Sequence, residues 1–237
     1  MERLMPRLFA ALMRHGPYRQ APDTPGAHQP HPLTPEGEET ARQGAVRFIE
    51  LAAHEGWRVE RVVDSSTILR AWRTAAISAD VLSARLGSAF QVTPFHDLAE
   101  RSVGSAANLT MEQIRSVVAN DPRCGELPEN WKLASRFRLP LPGAESLFEA
   151  GKRVQLLLER RMEELARTAA TDTVKLFVGH GGAFRHAAVH LGVLDLDEAP
   201  ALSMHHCRPV VLERLAGGRW AVAAGQWKER NPDSKEH

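Results

Sequence analysis

The 237-residue chain is 43% hydrophobic and 25% charged, the balance of a soluble globular protein able to bury a sizeable core. A net charge of only +1 argues against bulk attraction to nucleic acid or to an anionic membrane, so neither is expected as a partner. Two cysteines, Cys124 and Cys207, cannot make a disulfide framework or a zinc site by themselves, and they fit a cytoplasmic protein.

Arg3 and Arg7 precede an apolar run over 8–13 that is too short for a signal segment, and no stretch reaches the length of a membrane span. The run over 8–13 reads as a buried parallel strand ending at Gly16 and Pro17. A loop rich in Pro, Gly and His covers 17–35, and a helix starts near Thr34, with Thr34 as N-cap and Pro35 in the first position. A second strand spans 59–63 and ends at Asp64, Ser65 and Ser66. The helix after it has an apolar face at Ile68, Trp72, Ala75, Ala79 and Leu82. Residues 91–95 read as a third strand.

The pattern is irregular over 99–143, with four prolines, and reads as a lid-like insertion. A long helix is expected over 144–169, a buried strand over 174–178 and a helix over 183–191. Strands over 209–215 and 220–224 form a hairpin through Gly217 and Gly218. The polar tail, 228–237, is expected to be mobile. Strands alternating with helices predict a single α/β domain over 1–237, a three-layer sandwich with a mostly parallel central sheet flanked by helices.

Three polar clusters follow strands: Arg14, His15 and Gly16; Ser65 and Ser66 with Arg70; and His180, Gly181 and Gly182. Ligands of open α/β sheets bind beyond the carboxyl ends of the strands, so these clusters are expected to meet in one crevice. Arg14 and Arg70 offer forks that match phosphate oxygens. Gly16 and Gly181 allow close backbone approach, and Arg70 stands in a first helical turn that favours anions. Histidines among such cations are held neutral, as a nucleophile requires.

Leu12-Met13-Arg14-His15-Gly16 resembles the Arg-His-Gly signature of the histidine phosphatase (phosphoglycerate mutase-like) superfamily. Pro32-Leu33-Thr34-Pro35-Glu36-Gly37 and the stretch from Ser65-Ser66 through Arg70-Ala71 to Thr74-Ala75 resemble its next motifs. Leu98-Ala99-Glu100-Arg101 with Gly104 resembles its acid motif, and 142–146 and 178–182 resemble its late ones. The motifs span 8–215 in the family's order, which is far more specific than any one of them. The resemblance implies a phosphatase in which His15 becomes phosphohistidine. In that scheme Arg14, Arg70 and His180 bind the phosphoryl oxygens, with Gly16 and Gly181 beside them, and His180 counts with His15 and Glu100 among the catalytic residues. Glu100 is the proton donor and then the base, which calls for a carboxyl with a pKa near the working pH. Neither a metal nor a cofactor is needed.

Other readings stand beside these. Asp97 or Glu112 could replace Glu100 as the acid. His186 and His190, one turn apart, have zinc-ligand spacing but sit among packing residues, and the neighbours His205 and His206 should face opposite ways. Lys132, Arg136 and Arg138 either form a solvated face or bind a second anionic group, and Gln20, His28 or His31 could line the entrance. The substrate is expected to be a phosphorylated small molecule, with a phosphoprotein left open, and the final hairpin could pair two copies as a homodimer. A mutase is the nearest alternative, but Pro17, Tyr18, Arg19 and Gln20 depart from the acidic residue, Ser, Trp and Asn that follow Arg-His-Gly in cofactor-dependent mutases. A non-catalytic phosphate-binding module is the alternative of a different class.

Overall fold

The structure is a computed structural model that describes residues 6–230. In chain order the elements are β1 (Leu8–Arg14), α1 (Pro35–His54), β2 (Arg58–Val59), β3 (Val62–Ser66), α2 (Leu69–Leu86), β4 (Gln91–Phe95) and α3 (Met111–Asn120). They continue with α4 (Leu147–Ala166), β5 (Thr173–Gly179), α5 (Gly181–His190), β6 (Leu202–Ser203), β7 (Val210–Arg214), β8 (Trp220–Ala224) and β9 (Lys228–Glu229).

Strand β1 shows how the layers arise. Its side chains alternate, so Leu8, Ala10 and Leu12 enter one apolar core while Phe9, Ala11 and Met13 enter another. The first core is completed by Val154, Leu158 and Met162 of α4 and Phe184 of α5, the second by Phe48 of α1 and Ala75 and Leu82 of α2. The main sheet runs β4-β3-β5-β1-β7-β8, with β2 also paired to β5. Strands β4, β3, β5 and β1 are parallel, and β7 and β8 are antiparallel. The protein is therefore a mixed α/β fold, a mostly parallel sheet between two helical layers, and its parallel strands end together near Arg14, Ser66, Phe95 and Gly179.

Several elements depart from the sequence pattern. The strand expected over 59–63 is two strands, because the chain leaves the sheet at Glu60 and Arg61 and β3 continues through Ser66. Polar Asp64 is tolerated there because it is ion-paired with Lys175 and Arg161. Helix α2 buries Ala75, Ala79 and Leu82 as expected, but Ile68 only caps the helix and Trp72 turns outward, 42% exposed, while small Ala71, Thr74 and Ser78 face inward. Helix α4 starts at Leu147 rather than 144 because Ser146 and Glu149 close a capping box. Helix α5 begins at Gly181, two residues early.

The stretch 99–143 is not wholly irregular. It holds α3, started by a capping box of Thr110 and Gln113, and an apolar cluster of its own that includes Val103, Ile114, Trp131 and Leu139. The tail is ordered at its start, where Ser203 of β6 pairs with Lys228 of β9. The rest of it, 231–237, lies outside the described residues, as does Arg3. No described helix is long and apolar enough to cross a membrane.

Candidate active site

His15 follows β1 and its backbone N–H donates to Gly179 O at the end of β5 (3.0 Å), which fixes it between the two central strands. The side chain is 3% exposed. Arg70 Nε lies 3.1 Å from His15 Nε2, and a guanidinium only donates, so Nε2 carries the lone pair. The proton is then on Nδ1, which donates to Gly16 O at 2.8 Å. Gly16 is itself held by its N–H to Thr74 Oγ1 (3.1 Å), the threonine of the α2 motif. Burial first, then the positive charge of Arg70, hold the His15 imidazole well below the ordinary histidine range. The result is a neutral ring of defined tautomer.

His180 caps α5 and is fully buried, 5.1 Å from His15 between ring centroids. Its Nδ1 faces Arg70 Nη2 (3.3 Å), so its Nε2–H donates to Ser66 Oγ (3.0 Å). Burial and Arg70 hold this ring neutral too. Arg70 is 2% exposed, and its fork is engaged: Nη1 donates to Gln29 O, and Nη2 to Gly26 O and Ala27 O. The Pro- and Gly-rich loop after β1 thus wraps the arginine. Arg14 reaches the same crevice, its Nη1 donating to Met204 O at 3.0 Å.

Glu100 lies beside these groups on the N-terminus of α5. Its carboxylate accepts from Gly182 N (3.0 Å), Ala183 N (3.0 Å) and Arg101 N (2.9 Å). A Cβ on Gly182 would stand 2.7 Å from Glu100 Oε1, so only glycine admits this contact. Burial alone would raise the Glu100 pKa, but the backbone donors and the charges of Arg101 and Arg70 outweigh it and leave it lowered. This differs from the near-neutral carboxyl expected from the acid role, because the helix terminus stabilises the anion. Asp97, paired with Arg160, and Glu112 do not line the crevice.

The crevice opens into a cavity of about 850 Å³ lined by Arg14, His15, Arg70, Glu100, Gly181 and Gly182 among others. Lys132 and Gln20 also line it, whereas Arg136 stacks on Phe148 and Arg138 pairs with Glu149. His28 and His31 do not line it; His28 Nε2 donates to Glu100 O. His205 and His206 both line the cavity, contrary to their expected opposition. His206 Nδ1 donates to His15 O.

Three neighbours of the site were given no role in it from the sequence. Tyr18 sits edge-on to His15 and under Arg70. His206 approaches from beyond β6. Arg153 of α4 donates to Asp97 O, Ala99 O and Glu100 O while pairing with Glu145, and so clamps the backbone that carries Glu100. Glu145 within the 142–146 motif was the available signal for this last contact.

His186 and His190 are engaged by protein atoms. His186 bridges Gly182 O (2.9 Å) and Ser135 Oγ (3.0 Å), and His190 meets Phe148 O (2.9 Å). Among the described residues no group of three His, Cys, Asp or Glu side chains is placed to hold a metal ion. Burial takes the His186 pKa from 6.5 to about 4. As pH falls below 6.5 the unfolded chain gains this proton and the folded chain does not, so stability decreases until about pH 4. The loss from this residue is about 3 kcal/mol, and buried His15 and His180 act in the same direction. Urea unfolding at pH 7, 5.5 and 4.5 should show this decline, made shallower by His186→Gln; parallel pH profiles for the two proteins would remove His186 as a cause.

A family model described as histidine phosphatase superfamily (branch 1) matches residues 10–227. The chain belongs to that superfamily. Among solved structures, a mycobacterial glucosyl-3-phosphoglycerate phosphatase superposes with a TM-score of 0.64 at 22% identity, covering 94% of this chain and 99% of that one. A phosphoglycerate mutase from Bacillus anthracis str. Sterne gives 0.68 at 17% identity, covering 95% of each chain. The alpha-ribazole phosphatase from Shigella flexneri gives 0.66 at 18%, covering 94% and 96%. At these identities the structural likeness speaks to the fold.

Proposed function

We propose that this protein is a phosphomonoesterase that transfers the phosphoryl group of a small phosphorylated molecule to His15 and then to water. The observation that carries this reading is the His15 ring, buried, neutral and with the Nε2 lone pair directed at the arginine beside the cavity. In the first step that lone pair attacks phosphorus and the bond from phosphorus to the leaving oxygen breaks. Glu100 gives its proton to that oxygen. Gly16 O, which accepts from Nδ1–H, stabilises the positive charge that develops on the ring. Arg70 exchanges its bond to His15 for one to a phosphoryl oxygen, and Arg14 and His180 complete the cradle, with Gly16 and Gly181 leaving room for it.

The backbone donors keep Glu100 ionised, but a phosphoryl dianion placed beside it raises its pKa and favours the protonated form needed as donor. In the second step the carboxylate takes a proton from water, water oxygen bonds to phosphorus, and the phosphorus–nitrogen bond breaks. The arginines supply the positive charge, so the scheme calls for no metal, and we place the enzyme in the cytoplasm. The segment 99–143 acts as the lid that excludes bulk water.

Hydrolysis and mutase action differ in the final acceptor. Turnover of an aryl phosphate in ¹⁸O-water with EDTA present should place one labelled oxygen in the released phosphate. Conversion of 3- to 2-phosphoglycerate dependent on bisphosphoglycerate, without labelled phosphate, would replace this reading with a mutase. Tyr18 against His15, where the mutase pattern differs, favours hydrolysis.

A further inference from the structure

A second cleft lies at the opposite end of the sheet from His15. It holds about 300 Å³, the lower limit of small-molecule sites, and opens between the carboxyl ends of α1 and α2 and the starts of β2 and β4. Strand β5 measures the separation: it pairs with Arg58 at Thr173 and reaches His15 at Gly179, about 20 Å further on. The proposed reaction makes no use of this cleft.

Its walls are apolar, formed by Ile49, Ala52, Leu86 and Phe90 together with Trp57. Trp57 is 7% exposed and stacks on Phe9, with centroids 4.1 Å apart and planes at 26°, so the indole is a firmly held wall. Its Nε1–H is buried without an acceptor, and of the four indoles in that state it is the one that borders this cleft. Arg58 and Arg61 stand at the mouth, both exposed, and neither makes a side-chain hydrogen bond or ion pair among the described residues. No carboxylate lines the cleft. The carbonyl ends of α1 and α2 bring roughly half a negative charge each, which two full guanidinium charges exceed, so the mouth is cationic.

We propose that this cleft is a second ligand site, remote from the reaction, for a small aromatic carboxylate whose ring lies against Trp57 and Phe90 and whose charge meets Arg58 and Arg61. Two aromatic walls favour a flat ring over an alkyl chain. Two unengaged guanidinium forks with no protein carboxylate beside them favour an anion over a neutral or cationic ligand. The site stands or falls independently of the phosphatase reading.

The test titrates the full chain with naphthoate and with naphthalenemethanol, which has the same ring system and no charge, while inorganic phosphate occupies the catalytic crevice throughout. Naphthoate should bind about 5- to 30-fold more tightly, the scale of two exposed ion pairs. Arg58→Gln/Arg61→Gln should remove that preference and leave the affinity for the alcohol unchanged. Ala53→Phe, at an exposed position of the wall, fills the cleft and should abolish binding of both probes. The indole N–H resonance of Trp57 should shift as naphthoate binds, and urea unfolding shows that each variant is folded. Failure of naphthoate to bind, equal affinity for the two probes, or naphthoate binding untouched by the arginine pair and by Ala53→Phe overturns the site.

Discussion

His15→Ala should lower kcat/KM toward an aryl phosphate by about 10⁴- to 10⁶-fold, the scale seen when a covalent nucleophile is removed. The reason lies in the bonding of the ring. Nδ1 is tied to Gly16 O and Nε2 to Arg70, which fixes the ring with its lone pair in the crevice. His180 cannot substitute, because its Nδ1 faces Arg70 and its Nε2 is bound to Ser66 Oγ. The substitution removes an uncharged ring, and Arg70 loses one acceptor but keeps the carbonyls of Gln29, Gly26 and Ala27, so stability should change far less than activity. Steady-state assays beside urea unfolding curves separate the two effects. A variant retaining a tenth of the wild-type rate would mean that water attacks phosphorus directly.

Asp64→Asn should cost about 3–5 kcal/mol of folding stability, the penalty for breaking a buried ion pair. Asp64 is fully buried in β3 and meets Lys175 Nζ at 3.0 Å and Arg161 Nε at 2.7 Å. Lys175 is 2% exposed and has one further partner, Val62 O at 2.7 Å. Without the carboxylate its ammonium stays buried beside a neutral amide. That loss is a large share of the ~5–15 kcal/mol that holds a typical domain folded. Activity should fall along with stability, since Asp64 precedes Ser65 and Ser66, and Ser66 Oγ positions His180. Denaturant unfolding of Asp64→Asn and of Asp64→Asn/Lys175→Met checks the account, because removing the stranded ammonium should recover much of the loss. A penalty below 1 kcal/mol, a threshold set well under the range for breaking such pairs, would mean that the triad is hydrated.

The sequence carried the architecture where its signals were local. The apolar runs of β1 and β5 must be buried on both faces, and the charged and glycine residues that follow them can only stand at strand ends. That is why Arg14, His15 and His180 could be brought together before any coordinates. Helix α3 was missed although Thr110 and Gln113 spelled out its capping box, because the surrounding prolines and charges dominated the reading. On α2 the expected face holds at Ala75, Ala79 and Leu82 but fails at Trp72, for a different reason. Small residues such as Ala71 and Ser78 pack closely yet carry little hydrophobic signal, while exposed Trp72 carries a great deal.

The chemistry of Glu100 was beyond local reading. Its lowered pKa depends on the backbone N–H of Arg101 and then on that of Gly182, some eighty positions along the chain. The saturation of Arg70 by the carbonyls of Gly26, Ala27 and Gln29 is likewise a matter of how one loop folds back. His206 reaches the His15 carbonyl across 191 residues of sequence. Residue types announced a phosphate site; what each group does in the resting site depends on backbone atoms that carry no sequence signature.

The central claim is a phosphoryl group on His15 Nε2. The Glu100→Gln protein, slowed in the hydrolytic step by loss of its base, should be mixed with an aryl phosphate, quenched in alkali and examined by ³¹P resonance and peptide mass spectrometry. The account predicts an acid-labile, alkali-stable phosphoryl group on the peptide containing His15, attached at Nε2 and absent when His15 is replaced. A phosphoryl group on any other residue, or none while labelled phosphate is still released, would contradict it.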